Sequence, residues 1–197
     1  EARFPRILRR VSGYNLDELI PGLPVRPEGW SDEPWRFNLA RLIVGSEGTL
    51  AVATAAELKV MPVPAALGLV VISFATLPAA LDRVAEIVET GPVAVEMLDR
   101  MILELTAANP LYSHYLTFTE GLPAAVLAAQ FYADSQEELI ARTDALRRKF
   151  EGTPSVLSIR TRLVDAAKDD FWKVRKAGFS LLTGMVGDAK PIAFVED

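Results

Sequence analysis

Apolar and polar positions follow two different periods along this chain. From Leu50 to Val60 the even positions read Leu50, Val52, Thr54, Ala56, Leu58 and Val60, a period of two that predicts a half-buried strand. Met61-Pro62-Val63-Pro64 stops it, because proline brings no N–H to a sheet ladder. That segment marks the expected domain boundary, with residues 1–64 before it and 65–197 after it. Leu67 to Phe74 is a continuous apolar run of strand length. Leu77, Leu81, Val84 and Val88 then recur at spacings of four, three and four, which predicts one helix over 77–89 capped by Thr76. Gly91-Pro92 breaks it. A strand over 93–98, a helix over 99–107 and a strand over 124–132 follow. Ser135 and Glu138 make a capping-box pair, opening a helix through Leu139, Thr143, Leu146 and Phe150. A strand over 155–164 and a long helix, capped by Asp165 and running through Phe171, Val174, Gly178 and Leu182, complete the pattern.

Four strands alternating with helices fit either a doubly wound parallel sheet or a ferredoxin-like split βαβ layer. The strands are not uniformly rich in Val and Ile, as a sheet covered on both faces demands. The expected fold is therefore α+β, a ferredoxin-like antiparallel sheet with helices on one face. Residues 1–40 carry five prolines and three glycines, a turn-rich stretch that cannot build a core alone.

Composition narrows the chemistry. Half of the 197 residues are hydrophobic and the formal net charge is −5, so the chain has material for a core and a surface that repels nucleic acid and anionic lipid. No apolar run approaches the roughly 18–20 residues of a membrane helix, and the opening has no cationic segment followed by an apolar one. The expected location is the cytoplasm, or the inner face of a membrane as a peripheral protein. With no cysteine and one histidine, His114, the sequence has no thiolate site and no internal site built from two histidines. His114 reads as an ordinary surface residue. Such an inventory suits a protein that borrows its hard chemistry from a cofactor.

Three places carry candidate chemistry. In Val44-Gly45-Ser46-Glu47-Gly48-Thr49-Leu50 the two glycines permit positive φ, and backbone N–H groups in such a turn can hold phosphate or ribose oxygens. The same spacing also serves a tight turn leading into a strand. The pairs Glu96 with Asp99 and Asp169 with Asp170 read as a solvated face. Arg175 lies on the last helix, one turn from Phe171 and Phe179. It is either a rigid cationic fork for a carboxylate or an arginine reaching to solvent from a helix edge.

Two stretches, Arg10-Val11-Ser12-Gly13-Tyr14-Asn15-Leu16-Asp17-Glu18-Leu19 and Phe37-Asn38-Leu39-Ala40-Arg41-Leu42-Ile43-Val44-Gly45-Ser46-Glu47-Gly48-Thr49-Leu50, resemble the closing part of the FAD-binding domain in FAD-linked oxidases. Residues after Pro64, through Ala94-Val95-Glu96-Met97-Leu98-Asp99, Trp172-Lys173-Val174-Arg175-Lys176 and Lys190-Pro191-Ile192-Ala193-Phe194-Val195-Glu196-Asp197, resemble the C-terminal domain of the D-2-hydroxyacid dehydrogenase branch. The resemblance implies that Gly13, Tyr14, Asn15, Gly45, Glu47, Gly48, Thr49 and Val52 line FAD. It implies that Arg175 and Lys190 bind the carboxylate of a small 2-hydroxyacid such as D-lactate, glycolate or D-2-hydroxyglutarate. It assigns no catalytic side chain and no metal ligand to these residues. The family's pyrophosphate loop, divalent-metal motif and iron–sulfur cysteines are not in the sequence. The expectation is a piece of a larger flavoprotein, inactive by itself, holding FAD weakly or not at all, with homodimer formation through exposed apolar surface. The competing reading is a stand-alone ligand-binding or dimerisation module without redox activity.

Overall fold

The computed structural model describes residues 13–21, 36–58, 60, 62–162 and 165–187. The chain divides into two compact units that part between Val60 and Met61.

In the first unit a 3-10 turn, Leu16–Leu19, and a short helix α1, Ala40–Ile43, are tied together by polar contacts. Arg41 Nη1 lies 2.8 Å from Glu18 Oε2, and Asn15 Nδ2 donates to the Val44 carbonyl at 3.0 Å. The strand expected over 50–60 does not form among the described residues of that span. Val52, Leu58 and Val60 are instead 88%, 77% and 83% exposed. Alternation shows only that a segment can be a strand. It becomes one when a neighbour takes its ladder hydrogen bonds, and among the described residues the sheet lies in the second unit.

The second unit follows the order β1 Ala66–Phe74, α2 Leu77–Leu81, α3 Val84–Val88, β2 Ala94–Asp99, α4 Arg100–Ala108, a 3-10 segment Ser113–Phe118, β3 Ala125–Ala133, α5 Gln136–Phe150, β4 Val156–Arg162 and α6 Asp165–Thr183. The four strands form one sheet in the order β2-β3-β1-β4, every neighbouring pair antiparallel. Val70 sits opposite Ala129 on one side and Thr161 on the other. This is the expected α+β architecture: β1 and β2 are joined by α2 and α3, β3 and β4 by α5, and the two crossover units interleave.

One expectation fails. Helices cover both faces of the sheet. Val70, Ile72, Phe74, Leu127 and Phe131 pack against Ala80, Ile87, Leu139, Leu146 and Phe150 of α2, α3 and α5. The alternate residues Leu69, Val71, Val126 and Ala128 pack against Ile102, Leu103, Phe118, Phe171 and Val174 of α4, the 3-10 segment and α6. The central strands β1 and β3 are accordingly apolar at nearly every position. Charges sit on the edge strands, at Glu96, Arg160 and Arg162, so the average over all four strands understated how buried the middle is.

The helix expected over 77–89 is two short helices with a turn at Asp82 and Arg83. Its buried stripe is Ala80, Val84 and Ile87, whereas Leu77, Leu81 and Val88 face outward. Caps behave as anticipated at α2 and α5, and Asp99, expected only as part of a solvated face, caps α4. Thr76 accepts from Ala79 N–H at 3.3 Å, Asp99 from Ile102 N–H at 3.0 Å and Ser135 from Glu138 N–H at 3.2 Å. Glu138 reaches back to Asp134 N–H at 3.1 Å, one residue before the usual partner in a capping box. The side chain of Asp165 lies outside the described residues.

Candidate functional site

The first region is the turn after α1. Gly45, Glu47 and Gly48 all adopt left-handed backbone, with φ of 83°, 50° and 76°. Glu47 is the one non-glycine residue with positive φ among the described residues, a strained conformation that tends to persist where surroundings or function require it. Ser46, 3% exposed, anchors the turn. Its carbonyl accepts from Thr49 N–H at 2.9 Å and from Thr49 Oγ1 at 2.6 Å. The Thr49 hydroxyl has thus spent its proton, so Tyr14 Oη donates to it across 2.8 Å.

Gly13 (φ 84°), Tyr14 and Asn15 are therefore brought against residues 44–49 from a stretch some thirty residues earlier. Among the described residues no acceptor takes the N–H of Gly45, Glu47 or Gly48. A Cβ on Gly13 or Gly48 would meet nothing within 4 Å, so these glycines are needed for their backbone angles and not for space. Val52 lies beyond the turn and makes none of these contacts.

The second region joins α6 to the edge of the sheet. On β2, Leu98 packs on the α4–α6 side and Val95 on the other, so alternation puts Glu96 on the α6 side. On α6, Phe171 and Val174 point into the core, which leaves Arg175 at the margin. Arg175 Nε donates to Glu96 Oε2 at 2.7 Å, across 79 residues of sequence. The two side chains are 40% and 29% exposed. The guanidinium is thus held by a carboxylate and not by rings: Phe171 is buried against Phe118, centroids 5.2 Å apart, and Phe179 is 61% exposed. Nη1 and Nη2 of Arg175 have no protein acceptor among the described residues.

Glu96 is the residue that the sequence reading missed as a functional partner. Its signal was the β2 alternation, usable only once the second face of the sheet is known to be covered. Its neighbour Asp99 is the cap of α4. Asp170 accepts from Thr117 at 2.9 Å and pairs with Lys173 at 3.4 Å. His114 stacks on Tyr115, centroids 3.9 Å apart, and the Lys173 ammonium sits 4.4 Å above the same ring. Lys190 lies outside the described residues. Among the described residues no group of three or more His, Cys, Asp or Glu is placed to hold a metal ion. No helix among them is long and apolar enough to cross a membrane.

Comparison with known proteins finds the domain family described as FAD linked oxidases, C-terminal domain, over residues 63–197. The chain belongs to this family. The FAD-linked oxidase match includes the whole sheet and both helical layers, with Arg175 and Glu96 inside it. The chain is also similar to D-2-hydroxyglutarate dehydrogenase of Pseudomonas putida, 26% identical over 203 residues that cover 100% of the chain and 19% of the relative. To the Escherichia coli protein of the same name it is 26% identical, over 98% of the chain and 19% of the relative. A probable mitochondrial D-lactate dehydrogenase of Danio rerio is 31% identical over 59% of the chain and 23% of its own length. The chain therefore spans about a fifth of the length of these relatives.

Proposed function

We propose that this chain is part of an FAD-dependent dehydrogenase of D-2-hydroxyacids. Residues 1–64 would close its FAD-binding domain and residues 65–197 would form most of its substrate domain. The observation that carries the reading is the half-buried Arg175, held through Nε with its Nη1 and Nη2 edge uncommitted among the described residues, in a domain that belongs to the FAD-linked oxidases. Whole-chain similarity to D-2-hydroxyglutarate dehydrogenases makes that acid the first substrate to try, ahead of D-lactate and glycolate.

Every 2-hydroxyacid carries, next to its hydroxyl-bearing α-carbon, a carboxylate that is ionised near neutral pH. The planar guanidinium edge matches it with two parallel N–H···O bonds, fixing both position and rotation. Lys190 adds a second positive charge on this reading. Pinning the carboxylate fixes the adjoining α-carbon and its hydroxyl, which is what orients the acid for reaction. In the first unit, Gly45, Glu47 and Gly48 offer N–H groups without an acceptor among the described residues, which fit phosphate or ribose oxygens of FAD. Gly13, Tyr14, Asn15 and Thr49 fix the shape of that turn, and Val52 provides apolar contact beside it. FAD, when bound, supplies the two-electron acceptor.

A divalent metal and an iron–sulfur cluster, where the complete protein has them, belong on this reading to other parts of its polypeptide. A cytoplasmic location and dimerisation through its apolar surface belong to the same proposal. The test is anaerobic mixing of the full-length protein with each acid. Loss of oxidised-flavin absorbance with one of them supports the reading, and no loss with any of them overturns it. The 197-residue chain alone is expected to emerge from gel filtration without flavin and to lack dehydrogenase activity.

A further inference from the structure

The contact between Glu96 and Arg175 differs from most other ion pairs of the second unit. Arg83 with Glu86, Arg100 with Glu104, Arg142 with Glu138, and Arg147 with Asp144 and Glu151 are all three or four residues apart, along one helix or between it and its cap. Such pairs are solvated and worth little. Glu96 instead reaches from the edge strand of the sheet to α6, across 79 residues, so this pair joins two elements of the fold and not two turns of one. It engages the single N–H on Nε, out of five N–H donors on the guanidinium. That choice matters. A carboxylate on Nη1 and Nη2 would occupy the edge best suited to a bidentate partner. A carboxylate on Nε stops rotation about the end of the side chain and leaves that edge to be used.

From this geometry we infer that Glu96 is a positioning residue for substrate binding: it orients the Arg175 guanidinium so that the Nη1/Nη2 edge receives the carboxylate of the 2-hydroxyacid. The inference rests on the reading of Arg175 given under Proposed function. Glu96 is itself well placed for the task. It stands on a strand whose next residue on the same face, Leu98, is 3% exposed, so its backbone is fixed by the core. Arg175 follows the buried Val174 on a helix packed into the same cluster. A long side chain without such an anchor must be immobilised by the substrate on every binding event, and that cost weakens binding by roughly three- to tenfold. Strand, helix and hydrogen bond together remove it beforehand.

The experiment compares wild type, Glu96→Ala, Glu96→Gln, Arg175→Ala and the Glu96→Ala/Arg175→Ala double variant of the full-length flavoprotein. It reads KM and kcat for the acid that bleaches the flavin. It also reads the Kd of the corresponding 2-oxoacid by calorimetry, and Tm as the check on folding. Glu96→Ala is expected to raise KM and Kd roughly three- to tenfold with kcat within about twofold of wild type. Glu96→Gln keeps an acceptor for Nε and is expected to restore most of the affinity. In the Arg175→Ala background, Glu96→Ala is expected to add nothing, because there is no guanidinium left to orient. Unchanged or tighter binding by Glu96→Ala beside a weakened Arg175→Ala overturns the positioning role while keeping the substrate reading. So does an equal loss in the Arg175→Ala background, or a Gln variant no better than Ala. A wild-type protein that responds to none of the acids overturns the substrate reading, and this inference with it. Should Glu96→Ala fail to fold, Glu96→Leu, which keeps bulk but offers Nε no acceptor, and its double with Arg175→Ala carry the same comparison.

Discussion

At Glu47 and Gly48 the main chain takes two consecutive left-handed conformations, and their side chains are not equivalent there. Gly48 has open space where a Cβ would stand, so Gly48→Ala carries a purely conformational cost of roughly 1–2 kcal/mol. If the cost falls on the flavin-binding shape of the turn, the full-length protein should bind FAD roughly tenfold more weakly. Titration of deflavinated protein with FAD measures it. Equal affinity would show that the turn does not touch the cofactor. In the core, Phe171 fills the space between Phe118 and Trp172 with edge-to-face contacts, and Phe171→Ala is expected to lose about 3–5 kcal/mol of stability in denaturant unfolding. Sequence spacing named Phe171 and Val174 correctly, because a buried helical stripe shows in a list of residues. The company of Arg175 did not show. Its partner stands 79 positions away, and no local pattern joins a strand residue to a helix residue at that distance.

Elements were legible where their signal is local. The caps at Thr76 and Ser135 each depend on a side chain and an N–H three residues on, and Asp99, a cap that the sequence reading does not name, accepts in the same way. Asp99→Ala should therefore cost about 1 kcal/mol, measured as a lower unfolding midpoint, by losing the acceptor for Ile102 N–H. Elements were misread where a partner decides. Residues 50–60 alternate like a strand, yet those described find no ladder among the described residues. The division of α2 and α3 also escaped the pattern, since Leu77 and Val88 are apolar but exposed and the small Ala80 does the packing. The question of one covered face or two was misjudged because composition was averaged over strands. β1 and β3 alone read as doubly buried.

For the whole molecule, the sheet order β2-β3-β1-β4 with helices on both faces accounts for a second unit with two well-packed apolar layers. The first unit has small helical turns and, at 50–58, an exposed segment without regular secondary structure. Unladdered, exposed backbone is where proteases act first. Limited digestion of the isolated chain is expected to cut within 50–60 and spare the sheet. Resistance there equal to that of β1 and β3 would contradict this account of the segment. We propose that the complete protein holds a D-2-hydroxyacid by its carboxylate on Arg175. The most direct test follows anaerobic flavin reduction by D-2-hydroxyglutarate, D-lactate and glycolate in full-length wild type and Arg175→Ala. Reduction by one acid, with kcat/KM lowered in the variant by roughly 2–5 kcal/mol of lost stabilisation, is the predicted result. Reduction that proceeds equally well without Arg175 would contradict it.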